Sequence, residues 1–101
     1  MNEKTYHIFF STLSNPLRID IVSSLRKSPK TVNEISEELN VEQSKISHAL
    51  NPLKCCKVVE VKQEGKNRVY SLNKKTIVPI LELIDKHAKT FCNGNCQGCK
   101  R

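Results

Sequence analysis

Two short amphipathic segments, separated by about three residues, constrain this chain more than any other feature. The first opens at Thr31, which stands with Glu34 in the T-x-x-E spacing of a capping box. It sets Val32, Ile35 and Leu39 on one side at helical period. Asn40 tolerates a left-handed backbone and suits the end of that helix. A second helix begins near Glu42 and aligns Ile46, Ala49, Leu50 and Leu53. Helix, tight turn and helix in so short a span is the helix-turn-helix pattern, here from Thr31 to Leu53.

The flanking sequence fixes what surrounds it. Tyr6, Phe9, Phe10 and Leu13 form one stripe of a first helix. Asn15-Pro16 supplies the N-cap and first-turn proline of a second, carrying Leu17, Ile21, Val22 and Leu25 to about Lys27, where Ser28-Pro29 stops it. From Val58 the period changes to two. Val59 and Val61 alternate on one strand, Val69 and Ser71 on a return strand, with the turn around Glu64-Gly65-Lys66-Asn67. Thr76 then caps a last helix bearing Ile77, Ile80, Leu81, Ile84 and Ala88, and Pro79 fits in its first turn. The expected fold is mostly α with a small β-hairpin: a winged helix-turn-helix of four helices, two strands and a fifth helix. Residues 1–90 read as one winged-helix domain, and residues 91–101 as a Cys-rich tail.

Charge narrows the partner. Seventeen Lys and Arg against ten Asp and Glu leave a formal +7 on 101 residues, which points to nucleic acid or an acidic membrane. No segment approaches the apolar length a bilayer requires, and the N-terminus lacks a signal-like apolar stretch, so the expectation is a soluble, cytoplasmic protein bound to double-stranded DNA. On the second helix of the pair, Gln43, Ser44, Lys45, Ser47 and His48 lie away from the apolar side. Residues early in such a helix reach base edges in a major groove. Gln43 suits adenine; Lys45 suits guanine or phosphate; Ser44 and Ser47 suit either bases or phosphates. The hairpin adds Lys62, Lys66 and Arg68 for phosphates or the adjacent minor groove. The bland counterpart is a solvated helix face on a non-DNA interaction module, which would bind DNA weakly and without salt dependence. No nucleophile–base pair, Gly-rich phosphate loop or paired carboxylate site stands out, so an enzyme is not expected.

The run from Phe10 to Leu72 resembles the ArsR/SmtB family of metal-responsive winged-helix repressors. The resemblance rests on residues 13–19 (LSNPLRI), 34–41 (EISEELNV), 43–50 (QSKISHAL) and 66–72 (KNRVYSL). It implies a homodimer joined through the first and last helices, bound to a palindromic operator and released by an effector. Three departures bear on the reading helix. Glu42 replaces the usual Ser or Thr cap. Pro52 lies inside the helix, where it is expected to kink or shorten it. Lys57 takes the place of a common glycine.

The family's thiolate site at the start of the third helix is absent, because Thr31 and Asn33 occupy its Cys-x-Cys places. Its last-helix site is half present: Asp85 and His87 match, but its second half falls at Gly98. Five cysteines in a reducing compartment point instead to ions or thiol chemistry. Cys92-x3-Cys96-x2-Cys99, loosened by Gly94 and Gly98, supplies three thiolates for a soft ion such as trivalent arsenic, cadmium, copper(I) or zinc. Cys55, at the exit of the reading helix, is the candidate fourth ligand, whereas Cys56 fits a small buried position. The expected function is a repressor released from its operator by a soft metal or metalloid ion on these cysteines. The alternatives are a redox thiol switch between tail and Cys55, or an iron–sulfur cluster.

Overall fold

The computed structural model describes residues 2–91. Seven elements follow in chain order: α1 (Glu3–Leu13), α2 (Pro16–Lys27), α3 (Val32–Leu39), α4 (Gln43–Cys55), β1 (Val59–Glu64), β2 (Asn67–Leu72) and α5 (Ile77–Phe91). This is the winged helix-turn-helix arrangement expected from the sequence, with the last helix reaching Phe91. None of the described helices is long and apolar enough to cross a membrane.

Local chemistry explains most boundaries. The Asn2 side chain accepts from the Thr5 amide to start α1, and Asn15 accepts from the Arg18 amide ahead of Pro16 in α2. At α3 the capping box is complete: the Glu34 amide donates to Thr31 Oγ1 (3.2 Å) and the Thr31 amide to Glu34 Oε1 (2.9 Å). Asn40 closes α3 in the left-handed region (φ 56), and the Val41 amide reaches back to the Ser36 carbonyl. The hairpin turns on Gly65 and Lys66. Gly65 has φ 63, the first central place of a primed turn, where glycine avoids the Cβ penalty.

Of the kink or shortening expected at Pro52, helix α4 shows no shortening: it runs three residues further, to Cys55. Ile46, Leu50 and Leu53 on its inner side are essentially inaccessible, so burial holds the helix through a position that removes one backbone donor. They meet Ile21, Val22 and Leu25 of α2, Ile35 of α3, and Val58, Val59, Tyr70 and Leu72 of the wing in one core. α1 adds Phe9 and Leu13 to this core, while Tyr6 and Phe10 of the same stripe remain exposed.

A bridge ties the helical half to the wing. Lys30, just before α3, pairs with Tyr70 of β2, each amide donating to the other's carbonyl (2.8 and 2.9 Å). The Lys30 side chain turns the other way, donating to the Ser24 carbonyl (2.5 Å) and lying 3.5 Å from Glu38. The buried Ser24 hydroxyl donates to Glu38 (2.9 Å), and this bond, aided by Lys27 and Lys30, holds the Glu38 carboxyl below its ordinary range. Both α3 termini and its position against the wing are thereby pinned.

Candidate nucleic-acid interface

The outward side of α4 carries every helical residue singled out from the sequence. Gln43, Ser44, Lys45, Ser47 and His48 are exposed, whereas Ile46, Ala49 and Leu50 between and behind them are buried. That division is the direct result of 3.6-residue periodicity over a core-facing apolar stripe. The start of α4 carries no side-chain cap, since the Glu42 side chain accepts nothing from the helix.

Two grooves flank this side. One of about 320 Å³ runs between the start of α3, Ser47 and the wing, lined by Thr31, Val32, Asn33, Ser47, Lys66, Asn67, Arg68 and Tyr70. It brings Lys66 and Arg68 beside the reading helix. The other, of about 430 Å³, lies where α2 begins: Asn15, Leu17 and Arg18 face Ser44, Lys45, His48 and Ala49. Arg18 is thus a cationic neighbour of Lys45 and His48 that residue pattern alone did not single out. Its Nη1 is anchored to the Thr12 carbonyl (3.1 Å).

Lys62 is not brought together with the other two wing cations. The register pairs Gln63 with Arg68 and Lys62 with Val69, so Lys62 and Arg68 project from opposite faces of the hairpin. Lys62 instead lines a third groove with Lys54 and Lys57.

A side-chain relay crosses the turn of the helix-turn-helix. Gln43 Nε2 donates to Asn33 Oδ1 (2.7 Å), and Asn33 Nδ2 donates to Glu37 Oε1 (3.2 Å). In sequence Asn33 is notable only for standing at a Cys-x-Cys place of the family's thiolate site. Its nearest sequence cue is the i, i+4 spacing to Glu37 on one helix face.

The cysteines divide. Cys55 is exposed at the last residue of α4, and Cys56, half-buried, packs against the core. Thr12 Oγ1 spends its proton on the Ile8 carbonyl (2.8 Å). Its 3.5 Å contact with Cys56 Sγ is therefore completed by the thiol donating. Cys92, Cys96 and Cys99 lie outside the described residues. Among the described residues, no group of three or more His, Cys, Asp or Glu side chains is placed to hold an ion. Asp85 forms an ion pair with Arg26 (2.6 Å), and the His87 ring packs on Phe91 at 4.9 Å between centroids.

Comparison with known proteins agrees with this geometry. Residues 15–61, from the start of α2 into β1, match the family described as bacterial regulatory protein, arsR family. The transcriptional repressor SdpR of Bacillus subtilis is 36% identical over 64 residues, covering 63% of this chain and 71% of that protein. A transcriptional repressor SmtB homolog of Synechocystis is 28% identical over 79 residues. The match takes in 78% of this chain but 60% of the relative, so the chain spans less than two thirds of that relative's length. Among solved structures, Rv0081 of Mycobacterium tuberculosis superposes with a TM-score of 0.81 at 27% identity, over 89% of this chain and 91% of that one. The helix-turn-helix, the wing and these similarities together place the chain in the ArsR family of bacterial regulatory proteins, not in an enzyme family.

Proposed function

We propose that this chain is a cytoplasmic, homodimeric transcriptional repressor that reads a palindromic operator and is released by a soft ion on its cysteine thiolates. One observation carries the DNA-reading part: Ser47, on the exposed polar side of α4, lines a single groove with the wing cations Lys66 and Arg68. With α4 in a major groove, Gln43 pairs with adenine, while Ser44, Lys45, Ser47 and His48 contact bases or phosphates. Lys66 and Arg68 take phosphates alongside, and Lys62 serves the opposite face of the wing.

Dimerisation is supported by what α1 and α5 leave uncovered. Tyr6, Ile8 and Phe10 on α1 and Leu83, Ile84 and Phe91 on α5 are all exposed, and of α5 only Ile77 is fully buried. Terminal helices this apolar on the outside fit a two-fold interface. Residues 1–90 would form the DNA-binding and dimerisation domain, followed by the Cys-rich tail.

For the effector, the donor set is soft: Cys92, Cys96 and Cys99 with the exposed Cys55. Thiolates of this kind suit trivalent arsenic, cadmium or zinc. Cys55 ends the reading helix itself, so a ligand shared with the tail would bear directly on the angle of α4. A coupling of about 1–3 kcal/mol would change DNA affinity roughly 5–150-fold. The exposure of Cys55 also favours a second reading, in which tail and Cys55 thiols are oxidised to a disulfide.

The full chain should bind its own promoter DNA with an affinity that falls steeply as salt rises. Salt-insensitive association would reject the repressor reading. Arsenite, cadmium and zinc, scored separately for release of that DNA, test the ion. Release by peroxide but by none of the three would favour the redox reading. Cys55→Ser should abolish the ion response while leaving apo binding intact.

A further inference from the structure

We infer that Asn33 and Glu37, on the helix preceding the reading helix, set the base preference of Gln43 by locking the orientation of its amide. The inference rests on the DNA-reading function proposed above and names residues outside the reading helix.

The argument is one of donors and acceptors. Glu37, as a carboxylate, can only accept. Asn33 must therefore turn its NH₂ toward Glu37, as the 3.2 Å contact has it, which leaves Asn33 Oδ1 facing Gln43. Oδ1 can only accept, so Gln43 must present Nε2 to it, at 2.7 Å. A single fixed charge thus sets two successive amides. What remains for DNA is Gln43 Oε1 as acceptor and the second Nε2 hydrogen as donor. One acceptor beside one donor complements the N6 amino and N7 of adenine. The two-donor edge that would suit O6 and N7 of guanine is unavailable, because Asn33 holds one of the two hydrogens.

The position of the relay adds to this. Asn33 lines the groove that also holds Lys66, Asn67 and Arg68, beside the reading helix. The α3 backbone that carries Asn33 is fixed by the complete Thr31–Glu34 capping box and by the Lys30–Tyr70 bridge. Gln43 is the first residue of α4, and its helix start has no side-chain cap. The contact to Asn33 is therefore the hydrogen bond that ties this exposed side chain down.

The test is selection from a randomised duplex pool, read by sequencing, on the full chain, four single variants and one double variant. The native chain should enrich adenine at one position of each half-site, and Gln43→Ala should lose that enrichment. Asn33→Ala should lower the adenine preference at the same position by about tenfold. The other positions and the salt dependence of binding should be unchanged. Asn33→Asp keeps an obligate acceptor opposite Gln43 and should retain the preference even if overall affinity falls. Glu37→Gln lets Asn33 flip and should give an intermediate loss. In the Gln43→Ala background, Asn33→Ala should have no further effect on that position. A native chain that selects adenine there, with Asn33→Ala selecting it equally well, overturns the relay and leaves the DNA-reading function standing. Equal losses in Asn33→Ala and Asn33→Asp also overturn it, since the acceptor would then not be what matters. A native chain that enriches no sequence overturns both.

Discussion

The two helices of the helix-turn-helix are built by opposite means. α3 is eight residues long and carries strong local signals at both ends: Thr31 and Glu34 cap each other at the start, and Asn40 takes the left-handed terminus. Only Ile35 of it is fully buried. α4 has thirteen residues and poor local credentials. Glu42 caps nothing, Pro52 interrupts the backbone ladder, and Lys57 is forced to φ 60 at the exit. Its security comes from Ile46, Ala49, Leu50 and Leu53, all buried in the shared core. The helix that would touch DNA is thus stabilised from behind, which leaves its outer side free of structural duties. The helix that supports it is stabilised from its ends, which fixes Asn33 and Glu37 in place.

The largest expected effect follows from removing the support behind α4. Leu53 has no exposed surface, and Leu53→Ala opens a cavity in the core between α4, α2 and the wing. The loss should be about 2–5 kcal/mol, read from denaturant midpoints at a fixed protomer concentration. A loss below about 1 kcal/mol would show that α4 has local support the comparison denies it.

Thr31→Ala attacks α3 at its end instead. It removes the acceptor for the Glu34 amide and with it half of the capping box, at an expected cost of about 1 kcal/mol. The equivalent change at α4, Glu42→Ala, should be near neutral, because no capping bond is lost there. Equal costs at the two sites would erase the distinction between the helices.

How far the sequence discloses these features depends on whether they are local. The Thr31–Glu34 spacing, Asn15-Pro16 and Asn40 each act within a few residues, so the helix ends were readable, and so was the order of elements. Pro52 misleads as to the length of the helix, because Leu50 and Leu53 hold the turn from the core. The Lys30–Tyr70 bridge joins segments far apart in the chain and leaves no pattern in either. The Gln43–Asn33 contact depends on the angle between two helices, which spacing does not encode. Lys62 and Arg68 belong to one basic hairpin in sequence, and a turn located only within four residues does not fix the face each takes. Once it is fixed at Gly65-Lys66, the pairing of Arg68 with Gln63 puts Lys62 on the other face. For the tail cysteines, sequence supplies the donors and their spacing, and Cys55 is the one member of that set within the described residues.

The smallest expected effect lies at the two exits, which share one backbone device. After α4 the Val58 amide bonds to the Leu53 carbonyl and the Lys57 amide to that of Lys54, with Lys57 left-handed between them. After α3 the Val41 amide bonds to Ser36, with Asn40 left-handed. Asn tolerates this conformation, but a long side chain such as lysine carries a penalty of roughly 1–2 kcal/mol. Glycine removes it and gives back part through the added freedom of the unfolded chain, about 0.4–1 kcal/mol. Lys57→Gly should therefore stabilise the protein by roughly 0.5–1 kcal/mol, whereas Asn40→Gly should change little. Lys57→Asn should also stabilise, because Asn adopts the left-handed region without glycine's extra unfolded-state freedom. Thermal unfolding of the three variants at one protomer concentration separates these outcomes. If Lys57→Gly and Lys57→Asn both destabilise, then the lysine side chain itself supports the end of α4, beside Lys54 and Lys62 in the groove they share. The reading helix would then have a local anchor after all.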